Sequence, residues 1–227
     1  MLFLAKTEAC NSFAVGHMAL GYLSSKTSSK LLKTNLNIPL ALTLSIIPDA
    51  DILLQRIPFI QHRGATHSII SARIVFVPFF IICQKQAAPY FIALVQHGLV
   101  GDYIAGGRVQ LFWPVTNMYF GTSLDIRSLT NQTLEWTMFL AAILLTLKMK
   151  DYEAFFKPQA SNLILIIPTL TVLLPTLLIT PMIVPALLIP PHIFYLIMFA
   201  TAILIETYEL ARRLPSLITK NPAKTEH

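Results

Sequence analysis

Residues 163–206 read LILIIPTLTVLLPTLLITPMIVPALLIPPHIFYLIMFATAILIE, and no Lys, Arg, Asp or Glu occurs before Glu206 closes the run. One helix crossing a bilayer needs about 20 apolar residues, so the run is long enough for two crossings. A soluble all-α core is the alternative, but core helices rarely run this far without a polar face. The rest of the chain agrees with a membrane reading. Of 227 residues, 55% are hydrophobic and only 12% charged, where an ordinary soluble domain has about 25%. The implied class is an all-α polytopic membrane protein of about six to seven helices.

Apolar patterning places these helices near 12–24, 36–54, 68–83, 88–105, 134–147, 161–180 and 183–206. The first is short for a full crossing. Pro48 should break the second, because proline removes a backbone donor and disfavours helix just before it. The last two suggest a hairpin with Pro181, Pro190 and Pro191 near its turn and kinks at Pro168, Pro175 and Pro185. Residues 1–150 would form a helical core, 151–210 the hairpin and 211–227 a basic, disordered tail.

The net charge of +6 does not signal nucleic acid, because no basic stripe is interleaved with aromatics. Lys148, Lys150 and Lys157 flank an apolar segment, and Arg212, Arg213, Lys220 and Lys224 follow the last one, as suits contact with anionic lipid headgroups. Counted over alternate loops, one side receives eleven Lys and Arg and the other five. The positive-inside rule then places the richer side in the cytoplasm. The two cysteines, Cys10 and Cys83, form no CxxC pair, so neither a disulfide framework nor a thiolate zinc site is expected. The start of the chain lacks the pattern of a signal peptide. Trp113 and Tyr119 suit an interfacial aromatic belt. Asn131-Gln132-Thr133 matches a glycosylation sequon on the outer side.

Ionisable residues in membrane helices are costly and usually functional, and here they are grouped. His17 lies in Gly16-His17-Met18, Asp49 and Asp51 in Pro48-Asp49-Ala50-Asp51, His62 and His67 in His62-Arg63-Gly64-Ala65-Thr66-His67-Ser68, and His97 and Asp102 in His97-Gly98-Leu99-Val100-Gly101-Asp102. The loop count puts all of them towards the outer end. Imidazole and carboxylate together suit a divalent metal, zinc first and manganese or iron next. Asp102 is the candidate bridge between two ions, and His67 is favoured as a ligand, with His62 left to support it or to touch substrate. Singly, His17 could bond a neighbouring helix, Asp49 could cap a helix, Arg63 could anchor a headgroup and Glu135 could favour the start of the fifth helix. No structural role requires four segments to bring His and Asp to one end.

These blocks, with Gln110-Leu111-Phe112-Trp113-Pro114, resemble the YdjM-like inner-membrane, metal-dependent hydrolases over residues 12–140. That family is similar at a distance to zinc-dependent phospholipase C, an all-helical fold with a His/Asp multi-metal site. The resemblance implies metal ligation by His17, Asp51 or Asp49, His67, His97 and Asp102. Asp49, Arg63 and Glu135 are the candidate catalytic residues. The chain departs from phospholipase C in having no histidine between His97 and His192, so a full three-metal set is not implied. The expected activity is hydrolysis of a phosphoester or lipid-like substrate, with membrane lipids as neighbours and Arg63 or Arg108 holding an anionic group. A metal-binding transporter and a non-catalytic membrane scaffold are the competing readings.

Overall fold

The computed structural model describes residues 14–54, 62–122, 124–125, 127–178 and 184–219. Lys6, Cys10, Arg56, Pro181, Lys220 and Lys224 lie outside the described residues. The described chain is helical, with an isolated antiparallel bridge between Val109 and Phe120. In order come α1 (Ala14–Leu32), α2 (Ile38–Ile46), α3 (Ile69–Cys83), α4 (Ala88–Gln96), α5 (Leu129–Met149) and the short α6 (Glu153–Phe156). A broken helical run over Ala160–Leu178 contains α7 (Ile166–Pro168) and α8 (Leu174–Leu178), and α9 (Ile189–Thr219) ends the described chain.

Helix α1 is central and packs against α2, α4 and α5. Its Val15, Met18, Ala19 and Tyr22 join Leu42 and Ile46 of α2, Phe139 of α5 and Phe199 of α9 in one buried core. The helix continues to Leu32, past the expected stop near residue 24, through a Ser/Thr/Lys-rich segment. Ser24, Ser25 and Thr27 each return their hydroxyl to a carbonyl in the preceding turn, which satisfies these groups inside the helix. Lys26 then pairs with Asp151 just beyond α5, and Tyr22 donates to the same carboxylate at 2.7 Å. Near its other end, Gly16 N–H donates to Glu135 of α5. These two ties make α1 and α5 parallel.

Three helical stretches among the described residues are long and apolar enough to cross a membrane: Ile69–Ala105, Ala160–Leu178 and Ala186–Leu214. The first is not one rod. Gln84 takes a left-handed backbone, and the rings of Phe76 and Phe80 meet Phe91 at 5.5 and 5.4 Å, so α3 and α4 fold against each other. Ile81, Ile82, Leu144 and Leu204 point outward. An outer surface this rich in large apolar groups fits lipid and not water.

The prolines divide as their chemistry demands. Helix α2 ends at Ile46 and the chain tightens into a 3-10 segment, Ile47–Leu54, around Pro48. Pro168 precedes a π turn at Thr169–Leu173. Pro190 and Pro191 occupy the first turn of α9; a helix start has no use for their missing N–H groups. His192 is buried against Thr176 at 2.9 Å, a structural contact. Arg212 and Arg213 lie on the last turns of α9. Asn131 is buried, at 1% exposure, in the first turn of α5, so the sequon offers no accessible acceptor.

Candidate metal centre

Four segments deliver the grouped residues to one end of the bundle. His17 comes from the second turn of α1, and Asp49 and Asp51 come from the 3-10 segment. His67 comes from a 3-10 turn (Ala65–His67) held in place by Ser68, the N-cap of α3. Ser68 accepts from Ile70 and Ser71 N–H while its hydroxyl reaches the Trp113 carbonyl at 2.6 Å. The 109–120 loop is thereby fastened onto the His67 segment. His97 and Asp102 come from a π-helical segment, His97–Gly106, that continues α4.

That π segment resolves the five-residue spacing. On an α-helix, His97 and Asp102 would point about 140° apart. A π-helix bonds residue i to i+5, which stacks the two on one face. Gly101 supplies the clearance, because a Cβ there would collide with the His17 ring.

The donor atoms form a closed circuit. His67 Nε2 lies 3.4 Å from Asp49 Oδ1 and 3.4 Å from Asp102 Oδ2; His97 Nε2 lies 3.3 Å and 3.5 Å from the same two atoms. His17 stacks on His97 with ring centroids 3.9 Å apart and sets its Nε2 3.8 Å from Asp102 Oδ1. Three sets of potential metal donors result: His17, His97 and Asp102; Asp49, His67 and His97; Asp51, His62 and His67.

The far ring nitrogens fix which atom faces the centre. His97 Nδ1 lies 2.8 Å from the Ser45 carbonyl, which can only accept, so Nδ1 carries the proton. Thr66 Oγ1 donates to Asp51 Oδ2 at 2.5 Å, and it is therefore free to accept from His67 Nδ1 at 2.9 Å. In their neutral forms both rings present an Nε2 lone pair to carboxylate oxygens. Lone pairs facing one another repel unless a cation separates them. A protonated imidazole would close on a carboxylate to about 2.7–2.9 Å, shorter than any of the four distances. Two N/O donors bound to one ion at about 2.0–2.1 Å with tetrahedral spread stand roughly 3.3–3.4 Å apart. The donor set therefore fits a divalent metal. The unpartnered buried atoms point the same way: Asp49 Oδ2, both oxygens of Asp102, His17 Nδ1 and His62 Nε2. Three buried carboxylates faced by one buried arginine leave an excess of negative charge that a cation would offset.

The family profile of the YdjM inner membrane proteins matches residues 12–185. This chain belongs to that family. No curated protein and no solved structure matches it, and the resemblance to zinc-dependent phospholipase C gains no support from these comparisons. The YdjM match spans all four segments that carry the His and Asp residues.

Of the expected ligands, His67, His97 and Asp102 meet in the circuit and His17 borders it at Asp102 Oδ1, whereas Asp51 lies behind His67 with its oxygens held by His62 Nδ1 and Thr66 Oγ1. Asp49, expected as a catalytic group, presents Oδ1 to both His67 and His97. Arg63 is 7% exposed, takes a left-handed backbone, and sets Nη2 3.6 Å from Asp102 Oδ1. Its Nε and Nη2 have no hydrogen-bond acceptor. Arg108 is exposed. Glu135 stands apart from the three donor sets. It sits well inside α5, which starts at Leu129, so the helix start it serves is that of α1, through Gly16 N–H. Sequence reasoning passed over Thr66, although it lies inside the His-Arg-Gly-Ala-Thr-His-Ser block, and over Gln96, whose amide donates to the His17 carbonyl at 3.1 Å.

Proposed function

We propose that this chain is a membrane-embedded, metal-dependent hydrolase of phosphoester substrates. The observation that carries the reading is the alternating circuit of His67, Asp49, His97 and Asp102 donors at 3.3–3.5 Å. These four residues would hold the ion, zinc first by ligand type and manganese or iron next. His17 beside Asp102 Oδ1 would offer a donor to a second, and Asp51 and His62 belong to a separate set behind His67. A bound divalent ion supplies Lewis-acid activation of water and of an ester oxygen. The remaining work belongs to the protein. Ser45 and the Thr66–Asp51 pair orient the two imidazoles, and burial keeps bulk water away. Arg63 holds the anionic group, because two of its donor nitrogens are buried without acceptors beside Asp102, and guanidinium suits phosphoryl oxygens.

A transporter would need its donors along a polar path through the bilayer, and here they collect at one end. The Lys26–Asp151 pair and Lys148 lie at the other end, and the excess of Lys and Arg there supports a cytoplasmic face for that end and an extracytoplasmic one for the centre. Tyr119→Cys protein in cells should react with a membrane-impermeant maleimide added outside; protection from it would reverse that orientation. The activity has its own test. Purified protein loaded with zinc or manganese should cleave bis(4-nitrophenyl) phosphate, and His97→Ala and Asp102→Ala should lose both metal and turnover. Turnover that survives both substitutions would refute the hydrolase.

A further inference from the structure

A cavity of about 210 Å³ lies between α1, the π segment and α5. Leu20, Val100, Ile104, Ala105, Leu134 and Met138 give it apolar walls, and His17 and Glu135 also line it. His17 thus belongs both to this cavity and to the donor set with His97 and Asp102. At the outer edge, Ile104 and Leu134 are 47% and 39% exposed. Val100, Ile104 and Ala105 close the stretch Ile69–Ala105, which is long and apolar enough to cross a membrane. The cavity is therefore mostly apolar along its walls, borders the metal centre at His17, and has rim residues exposed on an apolar stretch.

We infer that this cavity is a lateral slot for one apolar chain of a lipid substrate, whose polar head then lies at the metal centre. The inference rests on the hydrolase reading for the chemistry at the head, and on the cavity alone for the chain. The occupant follows from the surroundings. Because the rim is exposed on an apolar stretch, an apolar tail could slide in from the bilayer without crossing water. The polar side chains in the lining, His17, Asn131 and Glu135, are outnumbered by aliphatic ones that would hold such a tail. The π segment serves both ends of such a substrate: one side presents His97 and Asp102 to the ion, and Val100, Ile104 and Ala105 form a wall of the slot. Gly16 and Gly101 keep the passage beside His17 narrow in backbone and free of side chains.

The test uses full-length protein in lipid nanodiscs with a lysophosphatidic acid carrying a diazirine in its acyl chain. After photolysis, mass spectrometry should find the label concentrated on the peptides bearing Ile104, Leu134 and Met138. Ala105→Trp, which fills the slot from the π segment, should lower that label about tenfold, and Leu134→Trp from α5 should do the same. Metal content, measured in parallel, shows that each variant keeps its centre and its fold. Label spread evenly over outward α9 residues such as Ile197 and Leu204, or gathered in the larger apolar cavity around Phe155 and Met198, would overturn the slot. So would label at the slot that neither tryptophan reduces while metal is retained. Localised label on a protein that binds no metal would uphold the slot and sink the hydrolase reading instead.

Discussion

Replacing Thr66 with valine removes one hydroxyl and nothing else of comparable size, and it isolates the support of His67 from the donors themselves. Thr66 Oγ1 lies 2.5 Å from Asp51 Oδ2 and 2.9 Å from His67 Nδ1. The variant loses one hydrogen bond to a charged group, worth about 1.5–3 kcal/mol, and one neutral bond worth about 0.5–1.5 kcal/mol. Thr66 is exposed as a residue, so water can replace part of this and global stability should fall by no more than roughly 1 kcal/mol. The loss should appear in the metal site. Removing a group that orients a ligating histidine typically weakens metal binding about 10–100-fold, or about 1.4–2.7 kcal/mol. The assay is competition for zinc against a chromophoric chelator, with a thermal melt of the same samples as the check on folding. Unchanged zinc affinity in a folded Thr66→Val protein would refute the argument that this hydroxyl sets the His67 tautomer.

Three further changes probe other parts of the structure. Gly101→Ala should displace the His17 ring and lower metal content while membrane insertion is kept; full metal content would mean that His17 is dispensable. Glu135→Gln keeps an acceptor for Gly16 N–H and should melt close to wild type, whereas Glu135→Ala strips the start of α1 of it and should cost about 1 kcal/mol; equal melts for the two would remove the cap. Lys26→Met leaves the Asp151 carboxylate half-buried with only Tyr22 beside it, and should destabilise the protein more than the double variant Lys26→Met/Asp151→Asn does. Additive losses across that double-mutant cycle would show that the pair is not coupled.

Membrane insertion, the all-helical class and the convergence of His and Asp on one end were legible in the sequence, because each follows from apolar run length or from charge placed in loops. The detail of the centre was not. The five-residue step from His97 to Asp102 looks wrong for one helical face until the backbone widens into a π segment, and nothing in the residues beyond Gly98 and Gly101 signals that change. Asp49 and Asp51, two residues apart, seem to compete for one role. The 3-10 backbone after Pro48 turns them to different partners, Asp49 towards His67 and His97, Asp51 towards His62 and Thr66. The length of α1 was hidden for another reason. Its second half is polar by composition, and it is held by hydroxyl bonds to its own backbone and by Lys26 to Asp151, a residue 125 positions away. The sequence places Glu135 at the start of its own helix, because its partner, Gly16, is 119 positions distant.

The donors of four segments should bind one kind of ion. X-ray absorption on the purified, metal-loaded protein addresses this directly. It should show zinc, manganese or iron in at least equimolar amount, in a shell of nitrogen and oxygen at about 2.0–2.2 Å with the outer scattering of imidazole and no sulfur, and Asp49→Ala and His67→Ala should each diminish that shell. Stoichiometric metal bound elsewhere, or a folded protein that takes up none of these ions, would contradict it.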